Sequence, residues 1–176
     1  MTIKAKVVAD SVVSNAPRLT TMVLTYPRYI HAQFMTHRVF SRNASSSRAI
    51  PTQRIIDAVT TDPVVPLNWR ENKKGMQGGE IFTADREEAA EVVWQRAMEA
   101  AIKAAEELMA LGAHKQLVNR ILEPFAHITV VVSSTKWENF FRLRTHAAGA
   151  QDEIDALATA MREAMDASVP RQLEAG

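Results

Sequence analysis

The sequence predicts an α/β fold, with an antiparallel or mixed sheet and one long scaffold helix, in a single domain spanning residues 1–176. Three observations predict it. Residues 3–9 and 19–25 alternate with a period of two, and residues 128–132 form a β-branched run. Residues 84–111 carry a helical stripe framed by helix-end signals. A chain of 176 residues is long enough to bury one core of ordinary size.

The elements follow in order. Ile3, Ala5, Val7 and Ala9 mark a first strand, Asn15-Ala16-Pro17 a turn, and Leu19, Thr21, Val23 and Thr25 a second strand. Pro27 suits the first turn of a helix running to about Phe40, with Ile30, Phe34 and Phe40 directed inward. Ser41 to Pro51 is small, polar and basic, which reads as a loop. Residues 60–83 hold Pro63, Pro66, Gly75, Gly78 and Gly79 without a period, the composition of a long loop or lid. The long helix at 84–111 has Thr83 to cap it, early acids at Asp85, Glu87 and Glu88, and Gly112 beyond its end. Its buried face is expected at Ala89, Val93, Ala97, Ala101, Ala104 and Leu108. A helix at 113–123 stops before Pro124, and Ile128–Val132 is a buried strand. Thr135 and Glu138 form a capping box for a helix at 136–144. The final helix, 151–167, buries Ile154, Leu157, Ala158, Met161 and Met165.

Composition narrows the function. Cysteine is absent, which excludes disulfides, thiolate metal sites and a cysteine nucleophile. There is no export leader and no apolar run near about 18 residues, so a cytoplasmic protein without a membrane role is expected. The net charge of +1 conceals a split. Residues 1–56 hold eight Lys/Arg against a single acid, Asp10, whereas residues 57–176 hold thirteen against nineteen. A local positive field of this kind faces an anion.

Two constellations carry the chemistry. The first is Gln33, His37, Arg38, Ser41, Asn43, Ser46 and Arg48, with Gln33 and His37 four apart and so on one helix face. Guanidinium forks with hydroxyl and amide donors suit a phosphate monoester, although turn-forming residues in a solvated basic loop have the same composition. The second places Arg144 on an aromatic helix face with Trp137, Phe140 and Phe141. A guanidinium among rings stays charged, so it meets an anion, a carbonyl or a π face, or else reaches to the surface. Arg120, beside Ile121 and Leu122, poses the same choice. His31, His114, His127 and His146 lack metal-ligand spacing, so no metal site is expected, and no Gly-x-Ser-x-Gly context supports a serine hydrolase.

These motifs, in this order, resemble the flavin-dependent thymidylate synthases (the thymidylate synthase complementing family). The family signature of Arg-His-Arg, seven residues and Ser appears as Thr36-His37-Arg38, seven residues and Ser46, followed by Ser47-Arg48. Asn119-Arg120-Ile121-Leu122-Glu123-Pro124 is similar to its Ala-Arg-Ile-Leu-Pro segment. Asn139-Phe140-Phe141-Arg142-Leu143-Arg144, then Ala150-Gln151-Asp152-Glu153-Ile154, is similar to its Asn-Phe-x-x-Leu-Arg and Ala-Gln-x-Glu-Ile pair. The likeness runs from about residue 17 to 165.

The resemblance implies an α/β homotetramer with active sites shared between subunits, and reductive methylation of dUMP at carbon 5 to give dTMP. FAD, methylenetetrahydrofolate and NADPH are the implied cofactor and co-substrates, and the missing cysteine agrees with a route that uses no enzyme thiol. Carried over by position, Gln33, Ser46, Ser47 and Arg48 hold the nucleotide phosphate and sugar, and Arg120 and Arg144 address nucleotide and base from a neighbouring subunit, with Arg144 and Ser46 catalytic. His37, Arg38, Asn43, Asn139 and His146 contact the flavin. Four departures stand out: Thr36 in place of the first signature arginine, Ala44 where Glu is common, Ser133 and Thr135 where Asn and Arg are common, and one extra residue between Arg144 and Gln151. They leave open a relative acting on another pyrimidine nucleotide, or one that binds without catalysis. A nucleic-acid-binding protein using the basic segment is the alternative of a different class, expected to bind in a salt- and length-dependent way.

Overall fold

The computed structural model describes residues 2–146 and 149–174. In chain order the elements are β1 (Lys4–Val13), β2 (Leu19–Pro27), α1 (His31–Met35), β3 (Ser41–Ala44), α2 (Thr52–Thr61), α3 (Ala84–Ala110), α4 (Lys115–Leu122), β4 (His127–Ser134), α5 (Glu138–Arg144), α6 (Asp152–Asp166) and β5 (Arg171–Leu173). The chain is α/β, as the sequence predicts. Its described residues divide into two compact units: a sheet unit of Ile3–Tyr26, Ile30–Ala44 and the described residues from Ile128 onward, and a helical unit of Thr2, Pro27–Tyr29 and Ser45–His127.

The sheet unit holds a mixed five-stranded sheet in the order β3-β4-β2-β1-β5. β1 runs antiparallel to β2 and parallel to β5, and β3 runs antiparallel to β4. Asn15 sits in the β1–β2 turn at φ 66°, a left-handed conformation that Asn adopts more readily than most residues. In β2 the buried side chains are Thr20, Met22, Leu24 and Tyr26, the opposite parity to the alternating set seen in the sequence. Met22, Leu24 and Tyr26 take the core face with Thr20, and Thr21 and Thr25 fall on the other. α5 and α6 pack in this unit, and Ile154, Leu157, Ala158 and Met161 are fully buried as expected, while Met165, also expected inside, is half-buried near the end of α6.

The expected helix from Pro27 to Phe40 is a correction. Pro27 ends β2, a 3-10 turn covers Arg28–Ile30, and α1 stops at Met35. Arg42 explains the stop. Its guanidinium donates to the carbonyls of Met35 (2.9 Å), His37 (3.0 Å) and Phe40 (2.8 Å), so these acceptors are satisfied without a continuing helix. Ile30, Phe34 and Phe40 are nonetheless all buried. The segment read as loop from Ser41 begins with β3, an edge strand paired in the register Ser41↔Ser133 to Ala44↔Val130. Its polar composition is compatible with an edge. β5 is short and exposed, so no hydrophobic period announces it.

Asp10, the lone acid of the basic segment, is structural. Its carboxylate accepts from Arg18 Nε (2.8 Å) and Nη2 (2.5 Å), Thr20 Oγ1 (3.2 Å) and Ser168 Oγ (2.6 Å). Arg18 Nη2 also donates to the Met165 and Ser168 carbonyls, tying the end of α6 to the β1–β2 hairpin. The Arg18 hydrogen bonds hold the Asp10 carboxyl down to about 2, against the ordinary 3.8. A depressed carboxyl stabilises the fold above its unfolded value and loses that contribution as pH falls through the folded one. Asp10→Asn is therefore expected to cost about 1–2 kcal/mol at neutral pH, less than the full linkage value because Arg18 reaches solvent. In urea melts the gap from the unsubstituted protein closes as pH falls from about 4 toward 2. A gap independent of pH contradicts this account.

The helical unit packs α2, α3 and α4 around Ile55, Ile56, Val59, Ala101, Ala105, Val118, Leu122 and Phe125. α2 has no counterpart in the sequence reading. The face of α3 is also a correction: Trp94, Met98, Ala101, Ile102, Ala105 and Leu108 turn inward, while Val93 is 55% exposed. Trp94 sets the rotation, donating its indole N–H to Val64 O (2.8 Å) and meeting Phe125 edge-on at 5.2 Å. One indole outweighs a stripe of alanines. α3 ends as expected at Gly112, with φ 76°, where Ala113 N bonds Leu108 O and Gly112 N bonds Met109 O.

The long loop after α2 is partly built. Val64 N bonds Phe125 O, and an Arg70↔Ile81 bridge closes a small hairpin. Gly78 is required there, since a Cβ would lie 2.6 Å from Arg70 Cβ. Thr83 and Thr135 make no side-chain cap. α5 begins only at Glu138, so Glu138 is its first residue and cannot close a box with Thr135. No helix among the described residues is long and apolar enough to cross a membrane.

Candidate functional site

In the sheet unit, β4 leads into α5 through Ser134, whose Oγ accepts from Lys136 N (3.0 Å) and whose carbonyl accepts from Trp137 Nε1 (3.0 Å). These bonds fix the entry to α5 so that Trp137, Phe140 and Phe141 are buried and Arg144 emerges from their face. The sequence placed Arg144 there. Its Nε donates to His37 Nε2 at 3.2 Å, and no carboxylate among the described residues pairs with it. His37 is buried, edge-on to Phe140 at 4.8 Å and stacked on Phe40 at 5.9 Å. Burial pushes its pKa below the ordinary histidine value, and the Arg144 and Arg42 cations push it the same way. The ring is therefore neutral at pH 7, with Nε2 as acceptor and the proton on Nδ1.

Gln33 and His37 do not share a helix face, because His37 lies past the end of α1. Gln33 Nε2 donates instead to Gln151 Oε1 at 2.6 Å. Arg38 is exposed and has no carboxylate partner among the described residues. Asn43 is exposed on β3, and Asn139 is exposed on α5 with its Oδ1 accepting from Arg142 (2.9 Å). His146 adopts φ 51°, with its backbone N bonded to Asp155 Oδ2 (3.0 Å) and its ring largely in solvent.

In the helical unit, the turn through Ser46, Ser47 and Arg48 closes with Ala49 N on Ser46 O (3.0 Å). α4 holds this turn. Asn119, fully buried, donates to Ser47 O (2.7 Å) and Ile50 O (3.0 Å), and Lys115 Nζ donates to Ala49 O (2.9 Å). Ser46 and Arg48 are left exposed; among the described residues Arg48 makes a single long bond, to Gln116 Oε1 at 3.4 Å. Ser47 is buried and donates to Glu123 Oε1 (2.7 Å), the oxygen that Arg28 Nε (3.0 Å) and Arg120 Nη1 (2.9 Å) also approach.

Sequence reasoning missed Arg28, Arg42, Asn119 and Glu123. One signal was present. Asn119 stands between Val118 and Leu122, a polar residue among the buried positions of a helix, which demands a specific partner. Arg42 lay within the motif but read as one more loop cation. Among the described residues no group of three His, Asp or Glu is arranged for a metal ion.

The fold is shared with solved structures. A UMP/dUMP methylase PolB from Streptomyces cacaoi, bound with 5-Br UMP, superposes with a TM-score of 0.71 at 18% identity, covering 93% of this chain and 88% of that one. The same protein bound with 5-Br dUMP gives 0.70 at 16% identity, covering 93% and 90%. No curated protein matches the chain significantly in sequence. The thymidylate synthase complementing protein family matches residues 11–171, nearly the whole chain, which thus belongs to that family.

Proposed function

We propose that the protein is a flavin-dependent methyltransferase acting at carbon 5 of a pyrimidine nucleoside monophosphate, with dUMP to dTMP as the default reaction. The observation that carries this reading is Arg144: a guanidinium bonded through Nε to the buried His37 ring, with no carboxylate partner among the described residues. Such a group is built to meet an oxygen bearing negative charge. Family membership supplies the reaction class.

The roles follow from the two donor sets. Ser46 and Arg48 present an exposed hydroxyl and guanidinium for the nucleotide phosphate, with Ser47 and Arg120 beside Glu123 and Gln33 also addressed to the nucleotide. Arg144, contributed by a neighbouring subunit, faces a pyrimidine carbonyl and stabilises the charge that develops as electrons enter the ring. Ser46 assists as a hydroxyl donor. The flavin is assigned to His37, Arg38, Asn43, Asn139 and His146. The donors fit such a group, since Arg38 is an exposed cation without a carboxylate partner among the described residues, suited to a diphosphate, and Asn43 and Asn139 are exposed carboxamides. When bound, the reduced flavin supplies hydride and carries the one-carbon unit from methylenetetrahydrofolate, with NADPH as reductant. Assembly as a homotetramer with shared active sites belongs to the same proposal, and so does a cytoplasmic setting; exposed Val92 and Val93 on α3 are apolar surface for such an assembly to cover.

UMP is the second candidate substrate, because the similar solved structures hold 5-bromo derivatives of both nucleotides. Incubation with FAD, NADPH and methylenetetrahydrofolate, with dUMP, UMP and dCMP offered separately, tests the reading by product mass. A methylated product from dUMP or UMP is expected. Unchanged mass for all three nucleotides contradicts it.

A further inference from the structure

We infer that His37 is a positioning residue for Arg144: its neutral ring accepts from Nε, fixes the plane of the guanidinium, and leaves both Nη groups to address the substrate. This rests on the proposed role of Arg144 in holding a pyrimidine nucleotide. The geometry is specific. Arg144 Nε donates to His37 Nε2 at 3.2 Å, and among the described residues this is its one polar side-chain partner. His37 is held from both sides of the contact. Phe140 and Phe40 confine the ring, and its carbonyl is anchored by Arg42 Nη1 at 3.0 Å. An arginine tethered through Nε retains the two-pronged edge that recognises a carbonyl or an anion.

The contact is also sensitive to protons. The charged groups facing the ring are Arg144 on α5 and Arg42 on the β3 side, both cations. Protonating Nε2 removes the acceptor and adds a third positive charge, so Arg144 is released once the ring takes up its proton. Burial and the two cations delay this step to lower pH, which keeps the contact intact at neutrality.

The test compares nucleotide affinity from pH 8 down to the pH at which nitrogen-15 spectra show the His37 ring protonated, in the full-length protein and in His37→Gln and His37→Ala. Gln offers an acceptor oxygen but does not titrate. The unsubstituted protein is expected to lose about tenfold more affinity than His37→Gln across this range. His37→Gln retains only the change due to the second phosphate ionisation of the nucleotide, near pH 6. His37→Ala is expected to bind weakly at both pH values. A His37→Gln profile that parallels the unsubstituted one overturns the inference. Nitrogen-15 imidazole spectra of the ligand-free protein give a second reading, with His37 expected as the Nδ1–H tautomer and its titration shifted upward in Arg144→Ala. A proton on Nε2 at pH 7 also overturns it. Absence of nucleotide binding at any pH counts against the functional reading, and the nitrogen spectra then decide the contact alone.

Discussion

Arg144→Ala is expected to lower kcat/KM for nucleotide methylation by about 10²–10³, the range for losing one donor aimed at developing negative charge. The fold is expected to survive, because α5 is held by Trp137, Phe140 and Phe141 in the core rather than by the arginine. Arg144→Lys is expected to recover little. An ammonium cannot bond His37 through an internal nitrogen and present two further parallel donors at once. Steady-state kinetics with a thermal melt of each variant check this. A variant that melts normally and retains most of its activity removes Arg144 from the chemistry.

Asn119→Ala is expected to cost about 2–3 kcal/mol and to weaken nucleotide binding as well. The side chain is fully buried and satisfies two carbonyls of the turn bearing Ser46 and Arg48, at Ser47 and Ile50. Truncation leaves those carbonyls without a donor and opens a void in the helical unit. Asn119→Asp keeps the size but replaces the donor with a carboxylate facing two carbonyl oxygens, so it is expected to be worse than alanine. Urea melts give the stability order Asn, Ala, Asp, and titration with nucleotide gives the affinity order. Equal stability of the Ala and Asp variants contradicts the bonding described here.

These predictions rest unequally on what the sequence made legible. The aromatic face with Arg144 at its end was readable because a short helix between a strand and a loop preserves its i, i+3, i+4, i+7 spacing. α6 and the Gly112 stop were readable for the same reason: local periodicity and a left-handed residue leave direct marks. What escaped depends on side chains that bond single backbone groups, which no hydrophobic period records. Arg42 ends α1 by reaching back to three nearby carbonyls, and Trp94 rotates α3 by anchoring on Val64, 30 residues earlier. The basic segment changes meaning similarly. Arg18, Arg28 and Arg42 are engaged within the fold, whereas Arg38 and Arg48, in the motif, are exposed, as are Lys4, Lys6 and Arg54 outside it.

Chemistry at carbon 5 of the pyrimidine is the claim on which the rest depends. The most direct measurement is release of tritium from nucleotide labelled at that carbon, with FAD, NADPH and methylenetetrahydrofolate present. The account predicts release from dUMP or UMP in step with a methylated product, and near-complete loss of both in Arg144→Ala. No release from either nucleotide, in a preparation that binds flavin and nucleotide, would contradict it.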